Sequence, residues 1–203
     1  MPALSSTVVF AKIPAPGTVK TRIAATHGQA TALSIYKRLL RHTALALAPV
    51  SHHVAFAGAK SPAGLRRIFR SAESFFAQTG RGLGTRLKNA FTHLAGAGIE
   101  HICAVGCDCP DLLSGDIHRA LGLLNQGCDV VIGPAEDGGY YLISCRAPCV
   151  DIFDVEGWSS PRLLENTIAV CKRRGYRYAL LHLKYDIDTM ADVERWRRDL
   201  SAR

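Results

Sequence analysis

Short β-rich runs and longer helical stretches alternate along this chain, and that alternation limits its fold more than any other feature. The β-rich runs fall at residues 7–11, 53–57, 75–78, 101–106, 129–133, 140–144 and 178–183. Between most of them the period changes to that of a helix. Over 29–48, Ala32, Ile35, Tyr36, Leu39, Leu40, Thr43 and Leu47 share one face. Further helices are predicted over 84–94, 116–124, 161–173 and 191–200. The central runs ICAVG and DVVIG have no alternating polar face, as in parallel strands covered by helices on both sides. The pattern predicts an α/β chain, a three-layer α/β/α sandwich around a mostly parallel mixed sheet. No linker, repeat or low-complexity tract interrupts the 203 residues, so 1–203 reads as a single domain.

Composition narrows the partners. With 48% hydrophobic residues the chain can bury a full core. No apolar run approaches the roughly 18 residues needed to cross a bilayer. The apolar N-terminal stretch is too short, and too soon followed by Lys12, for a secretory signal, so a cytoplasmic location is expected. A net charge of +8 favours anions. Arg195, Arg197, Arg198 and Arg203 are interspersed with acids on one predicted helix, and no dense Lys/Arg run is interleaved with aromatics. That disfavours nucleic acid and favours phosphorylated small molecules. The seven cysteines (103, 107, 109, 128, 145, 149 and 171) form no zinc-like pairs.

In sheets of this kind ligands bind beyond the carboxyl ends of the strands, which directs attention to the loops. The first, IPAPGTVKTR, turns on Gly17 and places Lys20 and Arg22 near the start of a helix, where free N–H groups also favour anions. It is not a Walker A loop. The second, GCDCPDL, puts Asp108 where an apolar strand meets a loop, a position suited to a divalent ion that bridges phosphates. Ser114 suits the cap of the helix that follows. The third, GPAEDGGYYLI, carries an Asp-Gly hairpin signal whose two glycines also admit a ligand close to the backbone. The fourth, YDIDTMADV, offers Asp186 and Asp188 on one side of an extended segment and a capping box from Thr189 to Asp192. WSSPRLLENT and the glycine-rich QTGRGLGTRL, ending at Arg86, complete the set. No Ser/His/Asp or Cys/His nucleophile set stands out.

In order and spacing, AKIPAPGTVKTRIA, QTGRGLGTRL, GCDCPDL, GPAEDGGYYLI, WSSPRLLENT and DIDTMADV closely resemble the bacterial DUF2064 family, a glycosyltransferase-like or nucleotide-diphospho-sugar transferase-like group. The resemblance spans about 8–192. It implies the nucleotide-diphospho-sugar transferase (GT-A) fold, a Mg2+ or Mn2+ cofactor, and a nucleotide or nucleotide sugar as ligand. Carried over by position, Ala11, Pro16, Gly17, Lys20, Arg22 and Arg86 would bind the nucleotide. Asp137, Gly138, Gly139 and Trp158 would line the sugar or acceptor pocket, and Asp108 and Asp188 would hold the metal. Lys20, Arg22, Asp108 and Asp137 are the catalytic candidates. Departures from the family pattern are Cys107 in place of Thr or Ser, Gly82 in place of Asp, and Met190 in place of Pro. The D-x-D of many metal-dependent glycosyltransferases is absent, since Cys109 and Pro110 separate Asp108 from Asp111.

Two reactions suit these residues. In glycosyl transfer, the metal and the two cations would neutralise a leaving nucleoside diphosphate while Asp137 takes a proton from the acceptor hydroxyl. In nucleotidyl transfer, a phosphorylated small molecule would attack the α-phosphate of a triphosphate and release pyrophosphate. The resemblance favours the first. A nucleotide-binding module without catalysis is the third reading. The partners implied are a nucleotide or nucleotide sugar, a small-molecule acceptor and a second copy of the chain in a homodimer.

Overall fold

Seven strands join one sheet in the computed structural model, which describes residues 3–147 and 150–201. Cys149 and Arg203, counted above, lie outside the described residues. The strands are β1 (Ser5–Lys12), β2 (His52–Ala57), β3 (Ser74–Ala77), β4 (His101–Val105), β5 (Val130–Pro134), β6 (Tyr140–Arg146) and β7 (Tyr178–Leu180). Their order is β3-β2-β1-β4-β6-β5-β7. Only β6 runs against its neighbours, β4 and β5; every other pairing is parallel. Each predicted β-rich run overlaps one strand.

The helices are α1 (Thr21–His27), α2 (Gln29–Leu47), α3 (Ala63–Arg66), α4 (Gly82–Gly96), α5 (Ser114–Asn125), α6 (Leu163–Arg174) and α7 (Met190–Ser201). Side-chain alternation along the strands divides the core in two. Val9, Cys103, Val105 and Val131 face one side, packed on Tyr36, Leu40 and Leu47 of α2 and Ile117 and Leu124 of α5. Val8, Ile102, Ala104, Val130 and Ile132 face the other, packed on Leu87, Phe91 and Leu94 of α4 and Cys171 of α6. This is the expected three-layer sandwich, and it explains why the central strands lack a polar face. A third cluster, with Ile23, Leu39, Ile187, Val193 and Trp196, fastens α7 to α1 and α2.

Local chemistry sets the element ends. The Asp-Gly segment forms the β5–β6 hairpin, where Gly138 has φ +86° and its N–H donates to Ala135 O at 3.0 Å. Thr189 and Asp192 form the expected box before α7: Thr189 N donates to Asp192 Oδ2 at 2.7 Å, and Asp192 N to Thr189 Oγ1 at 3.4 Å. Ser114 is not the cap of α5. It is the first helical residue, and the Asp116 carboxylate accepts the Leu113 N–H instead, at 2.9 Å. The longer Asp side chain reaches back from the third position, as in half of a capping box.

Candidate active site

Because β6 is the one reversed strand, the carboxyl ends of β1, β4 and β5 share one edge of the sheet with the β5–β6 turn. Four loops converge there. Beyond β1 the chain makes an exposed turn at Gly17 (φ +74°), and Thr18 Oγ1 donates to Ala15 O at 2.9 Å. Lys20 follows at the N-cap of α1 in the left-handed region, φ 47° and ψ 52°. For a residue with a Cβ that conformation costs about 1–2 kcal/mol, so the surroundings must hold it.

They hold it by charge. The Lys20 side chain is only 4% exposed, and its Nζ lies 2.6 Å from Asp108 Oδ1 and 3.5 Å from Asp188 Oδ1. Arg22 Nη1 reaches Asp188 Oδ2 at 3.1 Å from the outside, with its side chain 74% exposed. Asp108 extends from the end of β4, and its carbonyl accepts the Ile187 N–H at 2.9 Å, which lays residues 186–188 beside that strand end. Half-buried Asp186 thereby enters an acidic neighbourhood. Burial first, then the charges of Asp108, Asp137 and Asp188, push its carboxyl up to about 7, with Lys20 opposing. Asp137 sits on the exposed hairpin turn, where its Oδ1 accepts the Gly139 N–H at 2.9 Å.

A cleft of about 540 Å3 opens beside this group. Ala11, Lys20, Arg22, Arg86, Asp108 and Asp188 line it, as does Lys12. Phe10, Leu83 and Tyr36 give it an apolar wall. Tyr36 fixes the end of β1, since its hydroxyl accepts from Lys12 N at 2.8 Å and donates to Lys12 O at 3.2 Å. Gln78 on the same lining donates from Nε2 to Ala55 O at 2.9 Å. Arg86 belongs to helix α4, which begins at Gly82, rather than to the end of a glycine-rich loop.

Of the residues singled out in the sequence, Pro16, Gly17, Asp137, Gly138, Gly139 and Trp158 are not among those lining the cleft. Trp158 is half-buried, donates from Nε1 to Phe153 O at 3.3 Å and packs edge-on against Tyr140. It also covers Gly84, where a Cβ would stand 2.3 Å from its Nε1. Lys12, Tyr36 and Gln78 are additions that only the folded chain exposes, because each is an ordinary strand-end or helix-face residue in the sequence.

The carboxylates suit a hard divalent ion in one specific way. Among the described residues no three His, Cys, Asp or Glu side chains converge to hold a metal alone. Asp108 and Asp188, however, already share a single cationic centre, Lys20 Nζ. Mg2+ is typically held by one or two carboxylates, with substrate phosphates and water completing its shell. The two carboxylates fit that pattern.

Solved structures with the same architecture define its class. A candidate nucleotide-diphospho-sugar transferase from Desulfovibrio desulfuricans G20 matches at TM-score 0.84 and 31% identity, over 92% of this chain and 83% of that one. The 4-diphosphocytidyl-2C-methyl-D-erythritol synthase of Anaerococcus prevotii DSM 20548 matches at TM-score 0.65 and 9% identity, over 98% and 97%. Glucosyl-3-phosphoglycerate synthase of Mycobacterium tuberculosis, solved with Mn2+, uridine diphosphate and glucosyl-3-phosphoglycerate, matches at TM-score 0.56 and 10% identity, over 95% and 76%. The fold is therefore that of the nucleotide-diphospho-sugar transferases and cytidylyltransferases. Residues 39–160 match the family described as "Uncharacterized protein conserved in bacteria" (DUF2064), and the chain belongs to that family. No curated protein matches the sequence. Among the described residues no helix is long and apolar enough to cross a membrane.

Proposed function

We propose that this chain is a metal-assisted transferase whose donor is a nucleotide sugar. One observation carries the reading: a buried lysine ammonium, placed between two carboxylates at the strand edge, faces a cleft of nucleotide size. Asp108 and Asp188 would hold Mg2+ or Mn2+, which when bound supplies Lewis-acid neutralisation of the leaving diphosphate. Lys20 and Arg22 bind the phosphate oxygens from one side and Arg86 from the other. Phe10, Leu83 and Tyr36 keep water from the nucleoside, whose backbone approach is at Ala11. Pro16 and Gly17 shape the loop that delivers the two cations. At the hairpin, Gly138 packs against Pro161 and fixes the turn, and the Gly139 N–H orients Asp137 to take the acceptor's hydroxyl proton as general base. Trp158 backs this region through Tyr140.

A second reading, nucleotidyl transfer, is favoured by the charge of the cleft. Lys12, Lys20, Arg22 and Arg86 face only two lining carboxylates. That excess suits a nucleoside triphosphate, more highly charged than the diphosphate of a nucleotide sugar, with pyrophosphate as the leaving group.

Thermal unfolding with Mn2+ across nucleotide sugars and nucleoside triphosphates separates the readings. A ligand at 100 times its Kd adds about 2.7 kcal/mol of stability. Metal-dependent stabilisation by a nucleotide sugar, lost in Asp108→Ala, supports glycosyl transfer and names the donor. Stabilisation by one triphosphate alone moves the assignment to nucleotidyl transfer, to be checked by pyrophosphate release. Silence with every nucleotide removes both.

A further inference from the structure

We infer that Lys20 is an internal counter-ion occupying the metal position until nucleotide phosphate draws it away, so that metal and nucleotide bind this chain cooperatively. The inference rests on the metal reading of Asp108 and Asp188 given above and adds an order to it. Both carboxylates present an oxygen to the same ammonium, at 2.6 and 3.5 Å. A divalent ion coordinated by those oxygens would have to stand where the ammonium stands, since hard cations bind carboxylate oxygens at comparable or shorter range. Metal and lysine therefore compete for one place.

Solvent alone does not resolve the competition. The Lys20 side chain is 4% exposed, whereas Arg22, on the same Asp188, is 74% exposed. Arg22 can swing into water at little cost, while Lys20 is enclosed and leaves readily only for another anion. The cleft provides the route for one, because Lys20 lines it together with Arg22 and Arg86. A phosphate there offers the ammonium charge-assisted hydrogen bonds equal to those it gives up. Once the lysine has turned to the phosphate, Asp108 and Asp188 are left facing each other with only the exposed Arg22 beside Asp188. The left-handed backbone at Lys20 (φ 47°) is a costly conformation for a residue with a Cβ, which makes this residue a natural point of rearrangement. By linkage, nucleotide raises metal affinity by the same factor by which metal raises nucleotide affinity.

The test is Mn2+ binding to the nucleotide-free full chain, read by electron paramagnetic resonance. Lys20→Met should bind Mn2+ about tenfold more tightly than the parent, within the usual range of coupling between sites. Lys20→Gly, whose backbone accepts φ 47° without strain, should do the same and serves if the Met variant folds poorly. Arg22→Met removes an equal charge from the same Asp188 and should gain far less. Adding Asp108→Asn to Lys20→Met should abolish the gain. Equal gains from Lys20→Met and Arg22→Met would reduce the effect to net charge and overturn the inference. So would unchanged Mn2+ affinity in Lys20→Met, provided Asp108→Asn still weakens binding; the metal reading then survives. If Asp108→Asn changes Mn2+ binding in no background, or no variant binds Mn2+, the metal reading itself falls, and the inference with it.

Discussion

Lys20 combines three properties seldom found in one residue: a charged head, an enclosed side chain and a left-handed backbone. Its position between a strand end and a helix was enough to mark it in the sequence, as it was for Arg22, Asp108 and Asp188. What the sequence did not disclose is that one ammonium serves two carboxylates 80 residues apart, because that depends on the Ile187–Asp108 backbone bond. Lys20→Ala should weaken nucleotide binding about tenfold or more in titration calorimetry, the scale of a lost charge-assisted contact. Arg22→Ala should cost less, since its guanidinium is already in solvent. Thiol chemistry offers a second check. Burial raises the thiols of Cys103 and Cys107 and pushes Cys109 up to about 12. Of the six described cysteines, only half-buried Cys128 should react readily with a disulfide reagent at about pH 8, as peptide mapping would reveal.

Among the elements, glycines separate structural constraint from tolerance. At Gly138, with φ +86°, a Cβ would meet Pro161 O at 2.0 Å. Gly138→Ala should cost about 2 kcal/mol or more and lower the melting temperature by several degrees. Within α5, a Cβ at Gly122 meets nothing within 4 Å, so Gly122→Ala should stabilise the chain by about 0.5–1 kcal/mol. The pair of melting curves tests whether the hairpin is locked against the start of α6. Period alone located the strands and the long helices, since apolar spacing is a local property. It did not place Trp158. That contact requires Gly84 to leave space on a different helix, and an absent side chain carries no signal of what will fill it. Ser114 failed as the cap because the helix starts one residue earlier, which leaves Asp116 to reach back to the Leu113 N–H.

Across the whole molecule, two buried histidines make mild acid a source of weakness. Burial lowers the pKa of His53 and His101 below the usual 6.5, against the opposing pull of Glu73 on His53 and Glu100 on His101. Above 6.5 both are neutral whether folded or not, and stability is intact. As pH falls below 6.5 the unfolded chain takes up the protons first, so stability declines toward the lower folded values. Asp186, protonated first in the folded chain at about 7, works in the opposite direction over the same range, so the histidine contribution is read as a difference: between about pH 7.5 and 5.5 a His53→Gln/His101→Gln variant should lose less melting temperature, or gain more, than the parent. The sheet order has a further consequence. Converging strand ends give one edge all the proposed chemistry, and the opposite edge carries returns such as the exposed Ala97–Gly98 turn before β4. No side chain lies within 4 Å of a Cβ at Gly98. A fluorescent domain spliced into that turn would report on the molecule from the far side, leaving the edge that carries the proposed site unobstructed.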